Sequence, residues 1–189
     1  MTHKLLRTIR LDASDTFIFE QAAAPGEWAV SGTFMFWDRD LSALSGRERQ
    51  AFRAGILGLA SFGWSTLAVV VEATPEVRAA AVEALATHLM EVHGAPDIGA
   101  ARAAAQEEIG FAENLAQHPL QTLVGLSRSI NADCEISEQY RTFHAADAKQ
   151  ATAMPCSAGA FAVVEDETAE SDDHFDMAAM VAAEASAKP

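Results

Sequence analysis

Hydrophobic and polar positions along the chain predict three strands near its beginning. Apolar and aromatic residues are concentrated in segments 5–11, 16–20 and 27–36, and the residues between these segments are typical of turns. In the third segment Trp28, Val30, Gly32, Phe34 and Phe36 alternate with other residues, so they share one face of a strand. Such an apolar face must pack against a helix or another sheet.

The middle of the chain predicts a short helix, a central strand and a helical hairpin. Ser45 and Glu48 have the spacing of a capping box, which opens a helix that turns Phe52, Ile56 and Leu59 inward. Segment 64–72 contains five consecutive aliphatic residues, a pattern typical of a strand that is covered on both faces. Start and stop signals predict helices over residues 75–93 and 98–118, and the short link between them makes the pair antiparallel.

Strand patterns return in the last third of the chain. Segments 122–130 and 135–143 flank a turn at residues 131–133, and a short strand is predicted within residues 160–165. Strands therefore cluster at both ends of the sequence instead of alternating with helices. This order predicts an α+β fold, with a largely antiparallel sheet and the two-helix hairpin packed on one face. We expect residues 1–165 to form a single domain and residues 166–189 an acidic, flexible tail.

Charge and composition narrow the classes of partner. The net charge is −14, and residues 145–189 alone contain nine acidic and two basic residues, so the chain repels nucleic acid and anionic lipid. It has neither a signal peptide pattern nor 18 consecutive apolar residues, which disfavours export and membrane insertion. Its two cysteines are too few for a disulfide framework. These features predict a cytoplasmic protein without nucleic-acid or membrane partners.

One carboxylate, Glu108, lies in the middle of the apolar half of the second long helix. A carboxylate facing a core needs a basic partner, a retained proton, a ligand or a metal. Arg7, Arg128 and His88 also point where their apolar neighbours point, so we expect these three side chains to converge with Glu108. Glu108 should be shielded from solvent and contact at least one of them.

This polar cluster has two interpretations. It is either a set of internal ion pairs, Glu108 with Arg128 and Glu138 with the remaining charge, or an anion-binding or acid/base site. The structural interpretation is favoured, because buried ion pairs perturb pKa values without implying catalysis. If Glu108 pairs with an arginine, Glu108→Gln should cost about 3 kcal/mol of stability.

Motifs for metal, cofactor or covalent chemistry are not recognisable in the sequence. Glu107 and Glu113 point away from Glu108, and the helix has no Glu-x-x-His pair. There is no nucleophile elbow or phosphate-binding glycine loop either, so we expect no metal, no cofactor and no assigned catalytic residue. Trp37 is expected at the rim of the protein, because the charged run Asp38–Arg39–Asp40 follows it directly.

Four short segments carry a resemblance to a known family. They are LLRTIR at 5–10, EWAVSG at 27–32, FGWST at 62–66 and GFAE at 110–113. Over residues 4–144 the chain resembles a small bacterial family of unknown function. Members of that family tend to be encoded near a biotin/lipoate-ligase-like protein and accessory proteins of a molybdenum-type formate dehydrogenase. The resemblance implies an accessory or assembly role and supplies no catalytic residues.

Two classes of function therefore remain open. The first is an accessory protein that acts through contacts with an unidentified protein partner. The alternative is a small-molecule-binding protein or enzyme with a Glu/His/Arg pocket. We also expect a two-fold homodimer, because the early aromatic strands present more apolar area than one short helix can cover.

Overall fold

The structure is a computed structural model, and it describes residues 3–131, 135–145 and 161–162. The strands of these residues are β1 (His3–Ile9), β2 (Trp28–Val30), β3 (Ile56–Gly58), β4 (Trp64–Ser65), β5 (Leu67–Ala73), β6 (Leu123–Ile130), β7 (Ile136–Ala145) and β8 (Phe161–Ala162). The α-helices are α1 (Ser14–Ile18), α2 (Gly46–Ala54), α3 (Pro75–Val92) and α4 (Ile98–Leu115), and a 3-10 helix covers Thr33–Phe36.

The strands form a sheet in the order β4-β3-β2-β1-β5-β6-β7-β8, and neighbouring strands are antiparallel. The α+β class and the antiparallel sheet are thus confirmed. β5 lies between β1 and β6, as its unbroken aliphatic run predicted. The adjacent residues Leu5 and Leu6 point to opposite faces of β1 and are each 1% exposed, so this part of the sheet is covered on both sides.

The helical hairpin follows its sequence signals closely. The Thr74 hydroxyl accepts a hydrogen bond from the Val77 N–H at 3.4 Å, and the Asp97 carboxylate accepts one from the Ala100 N–H at 2.8 Å. Gly94, with φ of 65°, lies in the link between α3 and α4. The two helices pack together, and α4 also contacts β1 and β2. Alanines fill much of the helix contact, which lets the two backbones approach closely.

The sheet curves strongly, and Arg128 in β6 shows how far. The guanidinium donates to the carbonyl oxygen of Ser31, directly after β2, and to that of Gly55, directly before β3. In the sheet order β1 and β5 separate β6 from β2, so only a curled sheet brings these groups together. The curvature places the end of β6 beside the 3-10 helix and the end of α2.

Residues 16–20 do not form the predicted strand, because the chain folds there into α1. The Asp15 carboxylate is buried and accepts hydrogen bonds from the hydroxyls of Ser65 at 3.2 Å and Thr66 at 2.5 Å. Phe19, which follows α1, is 1% exposed, whereas Phe17 within it is 71% exposed. These distant polar contacts fix a helical turn where the local pattern favoured a strand.

The predicted strand over residues 27–36 is also wrong beyond Val30. Gly32 adopts a left-handed conformation with φ of 78°, and the 3-10 helix follows it. A Cβ atom at Gly32 would lie 2.5 Å from the Leu57 Cβ, so close packing of β3 also requires glycine here. Phe34 and Phe36 therefore belong to the 3-10 helix and not to a strand, although they are buried in the same core as Val30.

The helix that begins after Ser45 is shorter than predicted. It ends at Ala54, so Ile56 belongs to β3 and Leu59 to the loop that follows it. The Ser45 hydroxyl makes no capping hydrogen bond, although Phe52 is buried as predicted. At Gly55 a Cβ atom would lie 2.6 Å from both the Ala51 carbonyl oxygen and the Trp64 ring. This crowding requires glycine at the position where the chain passes from helix to strand.

The end of the chain is described only in part. β6 and β7 pair from Leu123↔Phe143 to Ile130↔Ile136, which confirms the predicted hairpin. β8 pairs with the end of β7, within the range predicted for the last strand. The proposed acidic tail and both cysteines lie outside the described residues. Within the described part, no helix is both long enough and apolar enough to span a membrane.

Candidate functional site

Arg128 occupies the centre of a buried polar network. Its side chain is fully buried, and its Nε donates to Glu138 Oε1 at 2.8 Å and to Thr33 Oγ1 at 2.9 Å. The other guanidinium nitrogens donate to backbone carbonyl oxygens, those of Phe52 at 3.0 Å, Gly55 at 2.8 Å and Ser31. A buried charge is tolerated when it is paired and hydrogen-bonded in this way. Arg128 therefore ties β6 to three other segments of the chain.

Glu138 faces Arg128 because the two residues are opposite each other in the β6–β7 register. Besides Arg128, it accepts hydrogen bonds from the Thr33 hydroxyl and, at 2.7 Å, from the Tyr140 hydroxyl. Burial, together with the hydrogen bond and the charge of Glu138, raises the pKa of Tyr140. Tyr140 is thus held as a neutral donor, and Glu138 as the counter-ion of Arg128.

Glu108 lies near this pair but does not form the direct ion pair that we predicted. Its Oε2 atom is buried and has no hydrogen-bond partner among the described residues. Burial, and secondarily the negative charge of Glu138, raises the pKa of Glu108 to about 7, and the positive charge of Arg128 opposes that rise. Of the ways of keeping a carboxyl group in a core, retention of a proton is the one that this raised pKa favours.

Arg7 and His88 lie away from Glu108 and Arg128. Arg7 is exposed, and its guanidinium stacks on the ring of Trp28, its cross-strand neighbour, at 4.6 Å from the ring centroid. His88 belongs to a separate cluster of aromatic rings, which we call the His88 cluster. Of the four residues predicted to converge, the structure brings only Glu108 and Arg128 together, and it adds Glu138 and Tyr140 to them.

The His88 cluster also contains Phe62 and His93, which the sequence analysis did not name as site residues. The ring of His88 stacks on Phe62 with centroids 3.5 Å apart, and its centroid is 5.4 Å from that of His93. His93 in turn makes an edge contact with Phe34 at 5.4 Å. Among the described residues, the buried Nε2 atoms of both histidines have no hydrogen-bond partner. Burial lowers the pKa of each imidazole, which favours the neutral form of the ring.

The loop that carries Phe62 is held by Glu27, which sequence reasoning placed in a strand. The Glu27 carboxylate is 8% exposed and accepts hydrogen bonds from the N–H groups of Ala24, Ala60 and Ser61 and from the Ser61 hydroxyl. Burial opposes ionisation of Glu27, but these hydrogen bonds outweigh it and lower its pKa. Phe62 has a left-handed backbone with φ of 51°, an uncommon conformation for a bulky residue.

A groove of about 710 Å³ runs between the start of β1 and α4. Several of its polar groups are engaged in protein contacts: Glu113 pairs with His3 at 2.7 Å and with Arg78 at 3.0 Å, and the Lys4 ammonium donates to the His118 carbonyl oxygen at 2.7 Å. Neither Glu108 nor Arg128 lines this groove. The lining residues are His3, Lys4, Glu107, Gly110, Phe111, Glu113, Asn114 and Gln117.

Comparison with known proteins gives a family but no activity. In the part of the chain that the structure describes, no group of three or more His, Cys, Asp or Glu side chains is arranged to hold a metal ion. No curated protein and no solved structure matches the sequence. The model of a family of unknown function matches residues 1–160, which confirms the resemblance to an uncharacterised family. The chain therefore belongs to DUF6505, a family of unknown function.

Proposed function

We propose that the protein is a cytoplasmic accessory or assembly protein that acts by binding another protein. The observation that carries this proposal is the exposure of Trp37, whose side chain is 70% accessible to solvent. Tryptophan is enriched among the residues that dominate binding energy in protein interfaces. An aromatic side chain of this size in open water has a large apolar area available for a partner.

Trp37 is also well placed to act as an anchor. It follows the 3-10 helix directly, and its ring makes an edge contact with the buried Phe34 at 6.4 Å. Phe34 in turn makes an edge contact with His93. Phe36, which precedes Trp37 in the sequence, stacks on Trp64 with ring centroids 5.3 Å apart. A side chain mounted on such a packed base loses little conformational freedom on binding, which favours affinity.

The polar network supports this proposal because its arginine is already satisfied. Each guanidinium nitrogen of Arg128 donates to a protein acceptor, and the side chain is fully buried. An anionic ligand would have to displace several of these hydrogen bonds. The network is therefore better suited to fixing the fold than to binding a substrate.

The proposal is tested by capturing partners in the native host with the tagged full-length chain, its Trp37→Ala variant and a Phe17→Ala control. Phe17 on α1 is as exposed as Trp37, at 71%, so it controls for the general loss of apolar surface. We expect the wild type and Phe17→Ala to recover the same partner, and Trp37→Ala to lose it. Equal recovery by Trp37→Ala would contradict the proposal.

Glu108 favours one alternative, a small-molecule-binding protein or enzyme. A carboxyl group with a pKa of about 7 is suited to general acid or base catalysis at neutral pH. In that case a small molecule should protect the wild type against thermal unfolding, and Glu108→Gln should abolish the protection. Protection that is unchanged in Glu108→Gln would remove the support for this alternative.

A further inference from the structure

The His88 cluster, at the end of α3, brings two imidazole groups together. His88 lies in the last turns of α3 and His93 directly follows that helix. The Nε2 atom of each is buried and has no hydrogen-bond partner among the described residues. Buried polar atoms in folded proteins nearly always have a partner, so two such nitrogens on neighbouring rings make a candidate ligand site.

We propose that His88 and His93 together bind a divalent transition-metal ion of the zinc type through their Nε2 atoms. Zinc–nitrogen bonds are about 2.0–2.1 Å long, and the centre of an imidazole ring lies roughly 1.1 Å beyond its ligating nitrogen. Two imidazoles at a tetrahedral angle on one ion then have centroids about 5 Å apart. The rings of His88 and His93 are 5.4 Å apart and tilted by 60°, which fits this arrangement.

The surroundings of the two imidazoles include both charged groups and aromatic rings. The charges that act on the pair include Glu91 and Asp38, which attract a cation, and Arg39, which opposes one. Stacking on Phe62 and the edge contact with Phe34 hold the ring planes in place without occupying a nitrogen.

Two protein ligands leave coordination positions open on the ion. Among the described residues no third His, Cys, Asp or Glu completes the set, so the remaining positions are filled by water or an added ligand. The affinity should accordingly be lower than that of structural zinc sites, which have four protein ligands. An open position also lets the ion accept a donor group from a bound molecule.

The test is a calorimetric titration of the full-length, tag-free chain with zinc chloride at pH 7.5. His88→Phe and His93→Phe, the two cluster variants, each remove a ligand but keep an aromatic ring in its place. His118→Phe serves as the matched control. We expect one saturable zinc site in the wild type and in His118→Phe, and loss of that site in both cluster variants. Circular dichroism should show that all three variants are folded.

Thermal unfolding provides a second readout that does not depend on any activity. A ligand that binds only the folded state raises the melting temperature. Zinc should therefore raise the melting temperature of the wild type and of His118→Phe, but not that of either cluster variant. Absence of a saturable site would overturn the proposal. Zinc binding that persists in both cluster variants would also overturn the proposal, because the ion would then bind elsewhere, for example at the acidic C-terminal segment.

Discussion

Replacing Glu108 with glutamine should remove a pH-dependent loss of stability. The carboxyl group has a pKa of about 7 in the folded protein, against an ordinary value of 4.5. Glutamine resembles the protonated carboxyl group in shape, but it cannot ionise. The variant should therefore behave as a folded protein whose residue 108 stays neutral at every pH.

The sign and size of the effect follow from the shift in pKa. Because the folded state holds the proton more tightly, the stabilising contribution is complete below pH 4.5 and is lost as the pH rises through 7. A pKa shift of this size lowers the free energy of unfolding by about 3 kcal/mol as the pH rises from 4.5 through 7. Because the side chain is partly exposed, this value is an upper limit. At pH 8.5 the free energy of unfolding of Glu108→Gln should thus exceed that of the wild type by up to about 3 kcal/mol.

The assay is urea unfolding of both proteins at several pH values from 5 to 8.5. Other titrating groups, including His88 and His93, are present in both proteins, so their contributions cancel in the difference. Glu72→Gln is the control, since Glu72 is an exposed carboxylate on β5 that does not act on the pKa of Glu108. We expect its difference from the wild type to be nearly constant with pH. A Glu108→Gln difference that does not change with pH would refute the reasoning.

Three further predictions concern the polar network, a strained glycine and self-association. Glu138→Gln should destabilise the protein by about 3–5 kcal/mol in urea unfolding, because it leaves Arg128 buried without its counter-charge. Loss of the exposed Arg39–Glu48 pair in Glu48→Gln should cost less than about 1 kcal/mol, and equal losses would contradict this ranking. Gly32→Ala should lower the melting temperature more than Gly26→Ala, since both have positive φ but only Gly32 lacks room for a Cβ atom. Light scattering should return twice the chain mass of 20.1 kDa if the protein is a homodimer, whereas the single-chain mass at high concentration would exclude a stable dimer.

The parts of the fold that were predictable from the sequence depend on local signals. The caps at Thr74 and Asp97 and the stop at Gly94 lie within a few residues of the helix ends that they determine. α1 was missed because its conformation depends on Asp15, whose partners Ser65 and Thr66 are about 50 residues away. No local pattern contains that contact.

The same distinction applies to the candidate site. The sequence placed Glu108 and Arg128 facing inward, and the structure places them in one buried region. The sequence did not identify the ion-pair partner of Arg128, because the β6–β7 register places Glu138, and not Glu108, opposite it. As a result, the expected effect of Glu108→Gln changes from a loss of about 3 kcal/mol to a gain at high pH. The prediction for Arg7 was wrong for a similar reason: the pairing of β1 with β2 places Arg7 beside Trp28, and the sequence does not contain that register.

The most direct test of the proposed function is the dissociation constant between the purified protein and its captured partner. It should be measured for the wild type, Trp37→Ala and Glu108→Gln at pH 6, where residue 108 is largely neutral in both the wild type and Glu108→Gln. If the partner binds at the Trp37 surface, Trp37→Ala should raise the dissociation constant at least about tenfold and Glu108→Gln should leave it unchanged. An unchanged constant for Trp37→Ala, or a loss of binding confined to Glu108→Gln, would contradict the account.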